Sequence, residues 1–120
     1  GELFVPKTPS IKIVDLVKAL GQNLKYHIVG IRPGEKLHEE MITKSDSINT
    51  AEFQNYFAII PNSVYLNWST KSFLKESGDT LGKICTQNFS YSSDTNKDFL
   101  SVKEIRQLII NNVPGGKILK

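Results

Sequence analysis

Pro33-Gly34 constrains this chain more than any other pair of residues in it. Proline fixes φ at about −65° and has no amide hydrogen, while glycine enters left-handed backbone at no steric cost; together they force a turn. Upstream, the apolar run Ile28-Val29-Gly30-Ile31 reads as the end of a strand spanning Leu24 to Ile31. Downstream, Glu35 opens a segment to Ile42 that reads as a short helix, with acids in its first turn where the macrodipole favours them. Arg32 and Glu35 then flank a tight turn at a strand-to-helix junction, a place where an arginine and a carboxylate can sit side by side. The planar guanidinium fork suits a phosphate. A carboxylate, which only accepts hydrogen bonds, suits sugar hydroxyls. A phosphate beside a ribose is a nucleotide. The same two side chains also suit a plain ion pair across an exposed turn, worth at most about 1 kcal/mol, and their spacing leaves both uses open.

Around that turn the pattern is mixed α/β. Gly1 to Val5 reads as a strand closed by Pro6 and Pro9, and it begins as though inside a longer protein. Ser10 is a natural N-cap for a helix from Ile11 to Leu20, whose apolar residues Ile11, Val14, Leu16, Val17 and Leu20 recur at helical spacing, with Gly21 as its stop. Thr43 to Thr50 is a polar loop containing the turn formers Asp46 and Asn49. Phe53 to Ile60 reads as a strand ended by Pro61. Residues 62–98 read as mostly irregular, with a helical turn near Thr70 to Lys75 and spaced aromatics at Tyr65, Trp68, Phe73, Phe89 and Tyr91. Ser101 and Glu104 have the spacing of a capping box. Val102, Ile105, Leu108 and Ile109 then give a last helix its apolar face, ended by Pro114-Gly115-Gly116.

Composition narrows the function more by exclusion than by indication. A net charge of +3, dispersed along 120 residues, lacks the basic stripe of a nucleic-acid binder and is compatible with a phosphorylated small molecule. Cys85 is the single cysteine, which leaves no internal disulfide and no multi-cysteine zinc site; it reads as a small buried hydrophobe. His27 and His38 are too scattered to argue for a metal, and His38 reads as a helix-surface residue. The neighbours Glu39 and Glu40 would face different sides of a helix and read as solvated surface. No apolar run is long enough to span a bilayer and no signal peptide is visible, so the expectation is a soluble, cytoplasmic protein without membrane contact. The chain has no Gly-x-Gly-x-x-Gly, no phosphate loop and no Tyr-x-x-x-Lys. It is therefore expected to carry no catalytic residue and no cofactor site of its own.

Two stretches carry a family likeness. Phe4-Val5-Pro6-Lys7-Thr8-Pro9-Ser10-Ile11-Lys12-Ile13-Val14-Asp15-Leu16 and Gly30-Ile31-Arg32-Pro33-Gly34-Glu35-Lys36-Leu37-His38-Glu39 resemble the C-terminal part of bacterial UDP-N-acetylglucosamine 4,6-dehydratases and related capsular and flagellar polysaccharide-biosynthesis proteins, some of which are called UDP-glucose 4-epimerase. The likeness continues through Thr50-x-Glu52-Phe53, Tyr91 to Asn96 and Phe99 to Arg106, in order along nearly the whole chain.

The resemblance implies an extended short-chain dehydrogenase/reductase. Its Rossmann half binds NADP or NAD and carries the catalytic groups; its smaller C-terminal half grips the nucleotide-sugar. This chain matches only that second half, as one UDP-sugar-binding region over residues 1–120. The implied enzyme oxidises the sugar at C4, eliminates water across C5 and C6, returns hydride at C6, and works as a homo-oligomer in capsule, O-antigen or flagellar polysaccharide synthesis. Arg32 matches the arginine expected near the UDP pyrophosphate, Glu35 the acid expected on the uridine ribose, and Lys7 lies near another phosphate-directed side chain. Ile48 stands where many relatives have a basic residue, so that loop receives no ligand role. The resemblance leaves two alternatives: a 4-epimerase of the same family, or a non-catalytic UDP-sugar-binding module or gene remnant.

Overall fold

The computed structural model describes residues 1–61, 69–76 and 81–114. The chain is mixed α/β: β1 (Leu3–Pro6), α1 (Ile13–Leu20), β2 (Glu40–Ile42), a 3₁₀ turn (Asp46–Asn49), β3 (Thr50–Glu52), β4 (Tyr56–Ile59), α2 (Thr70–Glu76), β5 (Lys83–Ile84), β6 (Tyr91–Ser92) and α3 (Val102–Asn112). Two compact units divide these elements. One comprises Gly1–Lys7 with Glu40–Ser92; the other comprises Thr8–Glu39 with the described residues from Ser93 onward.

In the first unit an antiparallel sheet runs in the order β1-β4-β3-β5. Pro6 closes β1 on the sheet edge, where its missing N–H costs no ladder bond. The expected single strand from Phe53 to Ile60 is corrected: β4 starts at Tyr56. The Phe53 N–H donates to the Tyr56 carbonyl at 2.9 Å and turns the chain back onto β3, which begins at the end of the expected polar loop. The Phe53 and Tyr56 rings stack at 4.7 Å. Ala51, Phe53, Ala58 and Ile60 form one apolar cluster, with Tyr56 and with Phe73 and Leu74 of α2. Val5, Ile42 and Phe57 form the other, with Ile59, Cys85, Phe89 and Tyr91. Alternate residues of β4 thus enter separate clusters on its two faces, which is why its sequence is apolar without interruption. Phe73, Phe89 and Tyr91 are core residues, while Tyr65 and Trp68 lie outside the described residues.

The polar loop is ordered by its own side chains. The Asp46 carboxylate accepts from the Thr43 hydroxyl at 2.6 Å and the Thr43 N–H at 3.2 Å. Buried Ser47 donates to the Lys44 carbonyl and buried Thr50 to the Asp46 carbonyl, so neither hydroxyl is left unpaired. The short strand β2 pairs with β6.

In the second unit α1 packs against α3, burying Ala19 and Ile105. The capping box forms as expected: the Ser101 hydroxyl accepts from the Glu104 N–H, and the Glu104 carboxylate accepts from the Ser101 N–H at 2.8 Å. The expected start of the first helix is corrected. Lys12, not Ser10, is its N-cap, because Ser10 is held elsewhere: it exchanges backbone bonds with Asp98 and Leu100, and its hydroxyl accepts from Asn96 Nδ2. Gly21 does stop the helix, in extended rather than left-handed backbone. Residues Gly115 and Gly116, the expected end signal of the last helix, lie outside the described residues.

Two further expectations fail, and both concern the flanks of the central turn. No strand forms over 24–31; among the described residues its backbone has no partner, and Ile28 and Val29 are 89% and 83% exposed. The expected helix from Glu35 to Ile42 is also absent. Its last three residues form β2, and before them Glu39 is tied to Ser93 by two bonds, at 2.8 and 3.1 Å. Pairing to distant residues overrides a short stretch of helical propensity. His38 is exposed, on a bend and not on a helix.

Candidate functional site

The turn itself stands. Arg32, Pro33, Gly34 and Glu35 form a four-residue turn in which the Glu35 N–H donates to the Arg32 carbonyl at 3.1 Å. Gly34 has φ +85°, a left-handed position, which with proline before it is the type II pattern. A second bond closes the turn from the other side: the Arg32 N–H donates to Glu35 Oε2 at 2.8 Å. Gly30, just upstream, also has positive φ, at +82°. All residues from 22 to 41 are exposed.

The structure therefore brings Arg32 and Glu35 together, but through backbone. The ion pairs among the described residues are Lys7 with Glu52 and Lys18 with Asp15. A charge pair between Arg32 and Glu35, the plain alternative for these two residues, is not formed. The Arg32 guanidinium has no hydrogen-bond or ionic partner among the described residues, and so keeps its donors for an external acceptor.

Lys7 belongs to the other compact unit. Its ammonium lies 2.7 Å from Glu52 Oε1 and 4.9 Å from the centre of the Phe57 ring, so a carboxylate already answers its charge. Cys85 is a free, half-buried thiol. Its pKa is raised, first by burial and then by the negative charge of Glu52, with Lys7 opposing. A raised pKa leaves little thiolate at neutral pH, which fits packing in the core better than nucleophilic chemistry. Ile48 is 65% exposed on the 3₁₀ turn. No group of three metal-ligating side chains occurs among the described residues.

Three residues that support this unit were not singled out from the sequence. Asn96 donates to the Thr8 carbonyl and the Ser10 hydroxyl, and accepts from the Asp98 N–H. Arg106 donates to the Lys18 and Ala19 carbonyls at the end of α1. Ser93 fastens Glu39. All three lie in stretches that carried the family likeness, and a polar residue fixed within such a motif is the signal that could have found them.

The polysaccharide biosynthesis protein family matches residues 1–61. Over 115 residues the chain is 46% identical to UDP-N-acetylglucosamine 4,6-dehydratase (inverting) of Campylobacter jejuni, covering 96% of this chain and 34% of that protein. It is 29% identical, also over 115 residues, to a UDP-glucose 4-epimerase of Rickettsia bellii, covering 92% of this chain and 32% of that one. Its fold matches the crystal structure of Pen from Bacillus thuringiensis with a TM-score of 0.66 at 27% identity, over 93% of this chain and 30% of that chain. The chain thus spans about a third of the length of the curated relatives it matches. Since the family match takes in more than half of its residues, the chain belongs to the polysaccharide biosynthesis protein family.

Proposed function

We propose that this chain is the nucleotide-sugar-binding portion of a UDP-N-acetylglucosamine 4,6-dehydratase, in the C-terminal part of an extended short-chain dehydrogenase/reductase. The substrate is a UDP-sugar, and the product feeds bacterial surface or flagellar polysaccharide in the cytoplasm. The 46% identity to the Campylobacter enzyme, against 29% to the epimerase, supports the dehydratase over the epimerase. The observation that carries the binding role is Arg32: an exposed guanidinium without a partner among the described residues, presented on a turn closed by two hydrogen bonds. Its fork grips the UDP pyrophosphate through charge-assisted bonds.

NADP or NAD belongs to this reading only outside the chain. The 120 residues contain no dinucleotide fingerprint and no Tyr-x-x-x-Lys, so none of them is assigned to the cofactor or to the transfer of hydride. What the chain contributes is binding and orientation. Lys7, whose charge Glu52 already answers, is a minor contributor at most.

Calorimetric titration with UDP tests the reading. The wild-type chain is expected to bind, and Arg32→Ala to lose roughly ten- to a hundred-fold in affinity, the worth of one charge-assisted hydrogen bond. Arg32→Lys keeps the charge without the fork and should fall between them. Equal UDP affinity in wild type and Arg32→Ala would overturn the assignment. In a longer polypeptide carrying this chain, the product from UDP-N-acetylglucosamine separates dehydratase from epimerase: a 4-keto sugar lighter by one water, or an unchanged mass with inverted C4.

A further inference from the structure

We infer that Ser93 is a positioning residue for UDP: through Glu39 it fixes where the turn carrying Arg32 and Glu35 stands. This rests on the proposal that the turn binds UDP.

The two bonds of the turn give it a shape but tie it to nothing else. Across residues 22–38 no hydrogen bond or ion pair reaches another segment among the described residues, and none of these residues is buried. The placement of the turn therefore depends on the two points where this segment is held. Upstream is the end of α1, whose Lys18 and Ala19 carbonyls accept from Arg106. Downstream is Glu39, held by Ser93. All of these residues belong to one compact unit.

Glu39 is held twice. Its carbonyl accepts from the Ser93 N–H at 2.8 Å, and its own N–H donates to the Ser93 hydroxyl at 3.1 Å. Any residue except proline at this position makes the first bond. The second needs an oxygen attached directly to Cβ, which serine and threonine supply. Two bonds fix the direction of the chain at Glu39 as well as its place, where one alone leaves it free to pivot. The stretch after Ser93 is itself fastened repeatedly: Asn96 to Thr8 and Ser10, and Asp98 and Leu100 to Ser10. Ser93 thus links a well-held stretch to an exposed one. A turn that must be ordered when ligand arrives binds more weakly than one already in place.

The probes are UDP, inorganic pyrophosphate and uridine, titrated against the 120-residue chain as wild type, Ser93→Ala and Ser93→Thr, with amide hydrogen exchange at Glu39 read by NMR. Pyrophosphate offers only the part assigned to Arg32, and uridine only the ribose that the family likeness gives to Glu35. In Ser93→Ala the Glu39 amide is expected to exchange about fivefold faster and UDP to bind about fivefold more weakly, the worth of one neutral hydrogen bond. Pyrophosphate and uridine should weaken alike, because the whole turn is displaced. Ser93→Thr keeps the hydroxyl and should restore both readouts. An unchanged exchange rate in Ser93→Ala would overturn the anchor. Faster exchange with unchanged UDP affinity would make Ser93 a structural fastening only and overturn the positioning role, while the reading of Arg32 stands. A loss confined to pyrophosphate or to uridine would mean that the hydroxyl meets the ligand itself, and overturns the role as well. If the wild-type chain binds no UDP, the reading of Arg32 fails and the positioning role fails with it.

Discussion

Replacing Arg106 tests how the second compact unit is held together. Its guanidinium reaches from α3 to the end of α1, with Nη2 on the Lys18 carbonyl at 3.0 Å and Nε on the Ala19 carbonyl at 3.2 Å. The last carbonyls of a helix have no partner inside it, and a cation there also meets the negative end of the macrodipole. Arg106→Ala removes both bonds and the aliphatic stem that lies half-buried between the helices. Hydrogen bonds to charged groups contribute about 1.5–3 kcal/mol when well buried. Partial exposure brings each of these nearer to about 1 kcal/mol, for a total loss of about 2 kcal/mol. For a chain of this length that lowers the melting midpoint by roughly 8 °C. Arg106→Lys has one point donor in place of a fork and should lose about half as much. Urea and thermal unfolding followed by circular dichroism give both numbers. A loss below about 0.5 kcal/mol for Arg106→Ala would mean that water serves these carbonyls equally well, and the clamp between the helices would then be wrong.

Three other outcomes follow from single features. Gly82→Ala should cost about 1–3 kcal/mol, since a Cβ there falls 2.8 Å from Leu74 Cδ2 and inside the contact distance of the Phe53 ring; a wild-type unfolding midpoint would refute that close approach. The pKa of Glu104 is lowered, first by the Ser101 side chain and then by its backbone N–H. A depressed folded pKa gives stability that is present above the unfolded value and is lost as pH falls through the folded one, so wild type should lose stability relative to Glu104→Gln on acidification, and parallel pH profiles would exclude the effect. The exposed side chains of Ile28 and Val29 should bind an apolar dye in the native chain, and the double replacement by serine should cut that fluorescence at least twofold with no change in the melt.

What the sequence made legible was local. The Ser101–Glu104 capping box is an interaction between residues three apart, and it forms as its spacing requires. The turn at Pro33-Gly34 is set by two residues whose dihedral preferences need no help from elsewhere. The apolar clusters around β4 were foreshadowed by an unbroken apolar run, although the hairpin that divides it was not. Gln54-Asn55 at its tip is a weaker turn signal than the asparagine-glycine type, and only the bond from Phe53 to Tyr56 shows where the strand begins. Ser10 failed as an N-cap for the complementary reason. Its sequence position suits a cap, but Asn96, eighty-six residues away, takes its hydroxyl.

The turn of the candidate site was legible and its two flanks were misread, and the two errors have different causes. Tyr26 to Ile31 has the β-branched and aromatic composition of a strand, but a strand exists only when another backbone answers its N–H and C=O groups. Among the described residues nothing does so, and the segment is left exposed and unpaired. Glu35 to Ile42 has helical spacing over two turns, too short to be stable on propensity alone. There the competing structure is present: Glu40 and Ile42 join a ladder with Ser92 and Tyr91, and Ser93 takes Glu39. Neither error moved the turn between them, because its two bonds join residues only three apart. That independence has a consequence for the site. Since neither flank shapes the Arg32 backbone, its conformation is set by Pro33, Gly34 and the carboxylate of Glu35.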